Sequence, residues 1–370
     1  MVTKPKVSIV CISYNQEDYI RETLDGFIMQ KTNFPFEIVI ADDASTDKTA
    51  DIIREYEKKN PKLFRANLRV KNVGVVSNIQ SVLGESRGEY IAICEGDDFW
   101  TDPLKLQKQA DFLDSHPDYG IVFHPVRVFF ENGEEKDSIF PKKNDSNFFT
   151  LENLLKENYI QTNSVMYRRV EYANLSSEVM PFDWYLHLIH AKRGKIGFIN
   201  QTMSAYRRHS EGLWWDMYNN TLHAWKQHGH SYLKLCRELM ILFGDNDEYR
   251  KIINQHVARV FEAYYYGSLD DKKYNELAST AVDILPSATW AFAQGIFDEK
   301  KEREALAEGY KNEIPVLRRN IEELKLQNQQ SEKNFHEAAS ELQQIKDSKM
   351  WRYASSYRVA KQRLRGFIKF

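Results

Sequence analysis

The chain has 370 residues, of which 28% are charged and 42% hydrophobic, and its formal net charge is −2. This is the composition of a soluble globular protein with one large domain or two ordinary ones, and we expect no nucleic-acid partner. The three widely spaced cysteines form neither a disulfide framework nor a zinc-binding pattern, which favours a reducing setting. The sequence shows no signal peptide and no apolar run near the roughly 18 residues of a transmembrane helix.

Strands and helices alternate along the first hundred residues. Four buried strands are predicted at Val7–Ile12, Phe36–Ala41, Leu63–Val70 and Glu89–Cys94. Helices are predicted from Asp18 to Met29 and, capped by Ser45 or Thr46, up to about Lys59. This spacing predicts an α/β fold in which a mostly parallel, Rossmann-like sheet is flanked by helices. The Gly-x-Gly-x-x-Gly pattern of dinucleotide-binding proteins does not follow the first strand.

Two of these strands end in carboxylates. Asp42 and Asp43 follow the second strand, and Glu95, Asp97 and Asp98 follow the fourth. Carboxylates at the end of a buried strand are costly unless a cation, a ligand or hydrogen bonds satisfy them. Because ligands of open α/β sheets bind at the carboxyl ends of the strands, we expect Asp97 and Asp98 to hold a divalent metal on a phosphate-bearing substrate.

The next hundred residues continue the α/β pattern. A helix is predicted from an N-cap at Asp102 to about Ser115, and a second helix opens at Phe182-Asp183-Trp184 and ends at Gly194. Tyr119–Phe130 and Thr162–Arg168 are predicted strands. The first domain is expected to end near residue 215.

Three segments taken together resemble successive motifs of the family 2 glycosyltransferases. They are Val7–Asn15, Ile38–Asp47 and Glu95–Trp100, in the order and on the elements that the family uses. The resemblance covers about the first 215 residues. It implies a GT-A fold and an inverting transfer of a sugar from a nucleotide-sugar donor.

The resemblance implies roles for the strand-end carboxylates. Asp97 and Asp98 match the metal-binding acidic motif, for which Mn²⁺ or Mg²⁺ is expected, and Asp97 also faces the donor; Glu95 takes a supporting role. Asp43, preceded by Asp42, matches the aspartate that contacts the nucleotide base. A carboxylate accepts the ring N–H of uracil or thymine, which favours UDP- or dTDP-sugars. The alternative for both residues is a capping role with Ser45.

Other positions match the edges of a donor pocket. Tyr14 and Asn15 end the first strand and can line the base pocket. Asn72, with Gly74 and Asn78, resembles the variable Asn-Gly loop of the family, although turn formation alone explains these residues equally well.

The resemblance also implies a general base and a closing loop. Asp183 matches the acidic residue that takes the acceptor's proton, with an ordinary N-cap as the structural alternative and Glu178 as the alternative base. A helix N-terminus is expected to lower the pKa of Asp183. His209 is expected as the third metal ligand, and Arg207 or Arg208 as the phosphate ligand.

The chain beyond residue 215 shows no chemical motif until its last sixty residues. Residues 216–310 are predicted to be helical. Apolar residues at alternating spacings of three and four predict a coiled coil over residues 311–348, with a solvated single helix as the alternative. Residues 349–370 hold seven Lys or Arg and no Asp or Glu, which favours a basic amphipathic helix on an anionic membrane over one packed on protein.

We therefore expect a cytoplasmic, metal-dependent inverting glycosyltransferase at the inner face of the cell membrane. The expected acceptor is a surface or lipid-linked glycan, and the coiled coil is expected to form a homo-oligomer. The alternatives are a transferase with a protein or soluble acceptor, and a membrane-tethered scaffold whose transferase domain is vestigial.

Overall fold

The computed structural model describes residues 4–131, 133, 136–142, 146–172, 175–210, 212 and 221–267. The predicted coiled coil at 311–348, the basic helix at 349–370 and residues 268–310 of the helical region lie outside the described residues. The chain divides into two compact units, residues 1–253 and residues 254–370.

The first unit contains eleven β-strands in its described residues. They are β1 (Val7–Ser13), β2 (Phe36–Asp42), β3 (Phe64–Leu68), β4 (Tyr90–Ile93), β5 (Phe99–Trp100), β6 (Tyr119–Phe123), β7 (Val126–Phe130), β8 (Ser138–Phe140), β9 (Met166–Arg168), β10 (Lys195–Phe198) and β11 (Ser204–Arg208).

The helices of the described chain alternate with these strands. They are α1 (Ile20–Ile28), α2 (Thr49–Lys59), α3 (Val75–Glu85), α4 (Lys105–Ser115), α5 (Leu151–Lys156), α6 (Phe182–Arg193), α7 (Thr221–Phe243) and α8 (Asp247–Gly267), with 3₁₀ turns at Ser146–Phe148 and Thr162–Ser164. None of these helices has both the length and the apolar character of a membrane span.

The main sheet has seven strands in the order β10-β6-β9-β4-β1-β2-β3. Strand β9 is antiparallel to its neighbours β4 and β6, whereas the other neighbouring strands run parallel. All seven residues of β1 are buried, because the strand lies at the centre of the sheet with helices on both faces. The α/β fold expected from the sequence is confirmed, with a mixed sheet.

The register of the central strands brings three loops to one edge of the sheet. Ser13 at the end of β1 lies beside Asp42 at the end of β2, and Val10 lies beside Ile93 at the end of β4. Because these strands are parallel, their carboxyl ends meet at the same edge. The loops that carry Tyr14, Asp43 and Glu95 are therefore neighbours in space.

A second sheet covers this edge, with four strands in the order β5-β11-β7-β8. Strand β5 begins directly after Asp98 and pairs with β11, which is parallel to β7 on its other side. The predicted single strand Tyr119–Phe130 is in fact two strands that belong to different sheets. The chain leaves the first sheet at His124-Pro125, where proline cannot donate a ladder hydrogen bond.

Two predicted helix caps are wrong for the same physical reason. Helix α2 begins at Thr49, and the hydroxyl of Ser45 donates to Asp42 while the N–H of Thr46 donates to Asn15. Helix α4 begins at Lys105, and the carboxylate of Asp102 accepts the N–H of Leu104 in the preceding turn. In both places the polar side chains close the loop before the helix instead of capping it.

Helix α7 packs on α6 within the first unit. The hydroxyl of Tyr185 donates to Glu238 at 3.2 Å, and the ammonium group of Lys192 donates to the carbonyl oxygen of Leu242 at 2.5 Å. These contacts join α7 to the first unit.

Candidate active site

Two adjoining cavities open at the carboxyl edge of the main sheet. We call the first, of about 520 Å³, the β1–β2 cavity. Its lining includes Tyr14, Asn15, Asp43, Asn72, Asp97, Arg207 and His209.

The second cavity, of about 580 Å³, is called the α6 cavity. Its lining includes Asn158, Thr162, Pro181, Phe182, Asp183 and Leu186. Five residues line both cavities: Ile12, Val75, Glu95, Tyr206 and Arg208. A ligand that fills one cavity therefore lies next to a ligand that fills the other.

Three carboxylates cluster beside this junction. Glu95, Asp97 and Asp98 each offer an oxygen, and these oxygens lie within 4.8 Å of one another. Burial and the nearby carboxylates of Asp97 and Asp183 raise the pKa of Glu95 to about 8, and burial also raises the pKa of Asp98. Close like charges need a positive partner, so this donor set fits a hard divalent cation.

The members of the cluster differ in their surroundings. Asp98 is 1% exposed; its Oδ1 accepts the N–H of Arg207 at 2.9 Å and its Oδ2 accepts the amide of Asn163 at 2.8 Å. Asp98 lines neither cavity, whereas Glu95 lines both and Asp97 lines one. Asp98 remains a candidate metal ligand with Asp97 and Glu95, and it also ties β11 and the 3₁₀ turn to the end of β4.

His209 stands beside the same cluster. Its Nε2 lies 3.2 Å from Oδ2 of Asp97, and its ring contacts that of Tyr19. The side chain is 5% exposed and lines the β1–β2 cavity. This position is compatible with the expected role of His209 as the third metal ligand.

The two arginines of β11 have different environments. Arg207 donates to the carbonyl oxygen of Asp97 at 3.0 Å and to the carboxylate of Glu22 at 2.5 Å, and its guanidinium lies over the ring of Tyr19. Arg208 lines both cavities. Arg207 or Arg208 is the expected phosphate ligand, and both line the β1–β2 cavity. We take Arg208 as the better candidate, because it also lines the α6 cavity whereas Arg207 donates to Asp97 and Glu22.

Asp42 and Asp43 also differ in their surroundings, since only Asp43 lines a cavity. Asp42 accepts hydrogen bonds from Ser13 and Ser45 and lines neither cavity. Asp43 lines the β1–β2 cavity and accepts the N–H groups of Val73 at 2.8 Å and Gly74 at 2.9 Å. Asp42 therefore closes the loop after β2 together with Ser45 and caps no helix, while Asp43 holds the loop that begins at Asn72.

The backbone of this edge includes positive φ angles. Gly74 has φ of 86°, which favours glycine, and Asn15 has φ of 52°, which asparagine tolerates better than most residues. The side-chain oxygen of Asn15 accepts the N–H of Thr46 at 2.8 Å. Asn15 thus joins the ends of β1 and β2, and the neighbouring Tyr14 remains 48% exposed in the cavity lining.

Asp183 lies at the start of α6 and faces the α6 cavity. Pro181 is the N-cap of the helix, so Asp183 is not the ordinary N-cap that the alternative reading required. Its Oδ2 accepts hydrogen bonds from the amide of Asn158 at 3.0 Å and the hydroxyl of Thr162 at 3.4 Å. Burial raises the pKa of Asp183, and this outweighs the backbone and side-chain donors that oppose it; the expected lowering by the helix N-terminus is therefore wrong.

Glu178, the alternative base, lies away from both cavities. Its side chain is 67% exposed and pairs with Lys234 on α7 at 2.7 Å. The residues that the sequence did not reveal are Asn158, Thr162 and Asn163. They lie in a polar loop before β9, and nothing in their spacing connects them with Asp98 or Asp183.

The comparisons with known proteins decide the family. Residues 8–212 match the family model described as glycosyl transferase family 2, which is more than half of the chain. The chain belongs to glycosyltransferase family 2. It is therefore an enzyme that transfers glycosyl groups.

Curated relatives of this glycosyltransferase include bacterial proteins. An uncharacterized protein of Mycobacterium tuberculosis is 49% identical over 250 residues, which are 67% of this chain and 72% of that protein. The putative teichuronic acid biosynthesis glycosyltransferase TuaG of Bacillus subtilis is 36% identical over 110 residues, or 30% of this chain and 42% of TuaG.

A solved structure shares the fold of this glycosyltransferase. The crystal structure of TarS 1–349 from S. aureus in complex with UDP-GlcNAc superimposes with a TM-score of 0.58 at 18% identity. The alignment covers 82% of this chain and 92% of the TarS chain. The likeness confirms the GT-A-like α/β fold.

Proposed function

We propose that the enzyme transfers a sugar, with inversion at the anomeric carbon, from a nucleotide-sugar donor to a hydroxyl group of a glycan acceptor. The observation that carries this proposal is the pair of adjoining cavities that share Glu95, with Asp43 in one and Asp183 in the other. A bisubstrate transfer needs two neighbouring sites, because the acceptor hydroxyl must lie next to the anomeric carbon when it attacks.

The β1–β2 cavity is the proposed donor site. Asp43 is proposed to accept the ring N–H of a uracil or thymine base. Each of its oxygens accepts one backbone N–H and keeps further acceptor capacity, which supports this role. Arg208 is the proposed partner of the donor's diphosphate. The UDP-GlcNAc bound to TarS is in keeping with a UDP- or dTDP-sugar as the donor of this enzyme.

Asp97 and Asp98, with Glu95 beside them and His209 next to Asp97, would hold a divalent cation at the edge of the donor site. When bound, Mn²⁺ or Mg²⁺ offsets the negative charge that develops on the leaving nucleoside diphosphate. The crowding of three carboxylates within 4.8 Å supports this assignment.

Asp183 is the proposed general base. Its carboxylate takes the proton of the acceptor hydroxyl while the hydroxyl oxygen forms a bond to the anomeric carbon. The bond between that carbon and the phosphate oxygen breaks, and its electron pair leaves with the nucleoside diphosphate. The single displacement inverts the configuration of the anomeric carbon.

The proposed acceptor is a growing surface or lipid-linked glycan. TuaG is named for teichuronic acid biosynthesis, which supports a role in the synthesis of surface polysaccharides. We also propose that residues 349–370 attach the enzyme to the inner face of the cell membrane. Residues 311–348 are proposed to form a homo-oligomer.

A thermal-shift screen of UDP-, dTDP- and GDP-sugars, each with Mn²⁺ or Mg²⁺, tests the proposal, because a ligand that binds only the folded state raises its melting temperature. We expect a UDP- or dTDP-sugar to give the largest shift and to release its nucleotide when a glycolipid acceptor fraction is added. A protein that no nucleotide sugar stabilises and that releases no nucleotide would contradict the proposal.

A further inference from the structure

A buried histidine lies one helical turn after the proposed base. His187 on α6 is fully buried, and its Nε2 lies 4.0 Å from Oδ2 of Asp183. The two side chains meet because residues four positions apart share a face of the helix. Neither the proposed donor site nor the proposed cation site uses His187.

The hydrogen bonds of His187 determine which ring nitrogen carries the proton. Burial lowers the pKa of His187 to about 3 and raises that of Tyr167, so the imidazole is neutral and the phenol keeps its hydrogen. The hydroxyl of Tyr167 lies 2.6 Å from Nδ1 of His187. Since this contact is the one hydrogen bond of that hydroxyl among the described residues, we infer that the hydroxyl donates and that Nδ1 accepts.

The remaining proton of the imidazole is therefore on Nε2, the nitrogen that faces Asp183. Nε2 is buried and has no hydrogen-bond partner in the part of the chain that the structure describes. A buried N–H without a partner is costly. Oδ2 of Asp183, at 4.0 Å, is beyond hydrogen-bond distance but can accept this N–H after a small shift.

The side-chain donors around Asp183 lie on one oxygen of its carboxylate. Asn158 and Thr162 both donate to Oδ2, and Nε2 of His187 faces the same oxygen. Oδ1 has no side-chain donor among the described residues. The backbone N–H groups of Asp183 and Trp184 also hydrogen-bond the carboxylate. Because the side-chain donors lie on Oδ2, we assign the proton of a ligand in the α6 cavity to Oδ1.

We propose that His187 is a positioning residue for the general base. When the acceptor binds, the Nε2–H group closes onto Oδ2 of Asp183 and holds Oδ1 toward the acceptor hydroxyl. Catalytic hydrogen bonds are often long before the substrate binds, and 4.0 Å must shorten by about 1 Å to reach bonding distance. The neutral ring gives no proton to the reaction. This inference rests on the role of Asp183 in the proposed function.

The test compares two histidines of α6. His190 is buried as completely as His187, its pKa is also lowered to about 3, and it stacks on the ring of Tyr167, but its Nε2 faces the hydroxyl of Tyr172. His187→Met and His190→Met therefore remove similar packing, and only the first removes a donor to Asp183.

We expect His187→Met to lower kcat about 10- to 100-fold, as loss of a hydrogen bond to a charged group implies. The KM for the donor and the donor's thermal shift should not change. His187→Gln, whose amide can replace Nε2–H, should restore kcat to within about threefold of wild type, and His190→Met should leave kcat unchanged. Turnover is measured with the nucleotide sugar that gives the largest shift in the screen, with water and with a glycolipid fraction as acceptors.

Tyr167→Phe provides an independent check of the tautomer. Without the hydroxyl, the proton of the imidazole is free to move to Nδ1, so kcat should fall by less than in His187→Met. The double variant Tyr167→Phe/His187→Met should be no slower than His187→Met, because both changes act through the same N–H group.

The outcomes separate this inference from the proposed function. If Asp183→Asn turns over like wild type, the base itself is misassigned and the role of His187 is overturned with it. If Asp183→Asn is inactive while His187→Met keeps wild-type kcat, only the inference about His187 is overturned. Equal losses of kcat in His187→Met and His190→Met would show a packing effect and would also overturn it.

Discussion

The two cavities of the active site are built in different ways. The β1–β2 cavity lies at the ends of adjacent parallel strands, and its residues follow those strands directly in the chain. The α6 cavity collects residues from the loop before β9, the start of α6 and the second sheet. A site at strand ends follows from the sheet itself, whereas a site between loops depends on how distant segments pack.

The electrostatics of the two cavities differ as well. On the β1–β2 side, carboxylates cluster within 4.8 Å and need a cation. On the α6 side, Asp183 is a partly buried carboxylate held by the neutral donors Asn158 and Thr162, and loss of solvent around it raises its pKa. The first arrangement suits charge neutralisation, and the second suits a base that must accept a proton.

The largest expected effect comes from the carboxylate cluster. Asp97→Ala should lower transfer at least about 10³-fold, because the charge on the leaving group loses its partner. Chelation of divalent cations should inactivate wild type to a similar extent, and added Mn²⁺ or Mg²⁺ should rescue wild type only. Release of nucleotide from the donor measures both effects.

Asp51→Ala serves as the control for Asp97→Ala, since Asp51 is an exposed carboxylate on α2 that pairs with Arg54. It should keep wild-type activity. Full activity of the wild-type enzyme after chelation would contradict the proposed dependence on a divalent cation.

The next effect separates acceptor chemistry from donor binding. Asp183→Asn should lower transfer about 10²- to 10³-fold, because the amide cannot take the acceptor's proton. The donor's thermal shift should remain as in wild type, since Asp183 lines the α6 cavity only. Glu178→Gln is the matched control, and a loss of activity in that variant instead would assign the base to Glu178.

The smallest expected effect distinguishes the two arginines of β11. Arg208→Ala should raise the KM for the donor about tenfold, as loss of one charge-assisted hydrogen bond implies, and should change the melting temperature little. Arg207→Ala should instead lower the melting temperature, because Arg207 links Asp97 to Glu22. The comparison would fail if Arg207→Ala changed KM alone while Arg208→Ala destabilised the protein.

The residues that line the β1–β2 cavity could be predicted from the sequence. An apolar run that stops at Asp42-Asp43 or at Glu95–Asp98 predicts both a buried strand and the polar loop after it, because both depend on neighbouring residues. The parallel order of the strands then brings the loops together. The roles of the individual carboxylates were less predictable, since Asp98 and Asp42 differ from their neighbours only in the direction of their side chains.

The residues that line the α6 cavity could be predicted only in part. Asp183 could be proposed from the sequence, but the pKa of this residue depends on burial by segments far along the chain. The division of Tyr119–Phe130 between two sheets has the same origin, because each half pairs with strands that follow much later.

The sequence by itself determined the alternation of strands and helices, the family and the edge of the sheet at which the carboxylates gather, because these properties reside in local patterns. Only the tertiary structure decided that Glu95 lines both cavities, that Arg207 donates hydrogen bonds to Asp97 and Glu22, and that His187 faces Asp183. Those facts depend on contacts between residues that are far apart in the chain, and close packing, rather than local preference, selects among them.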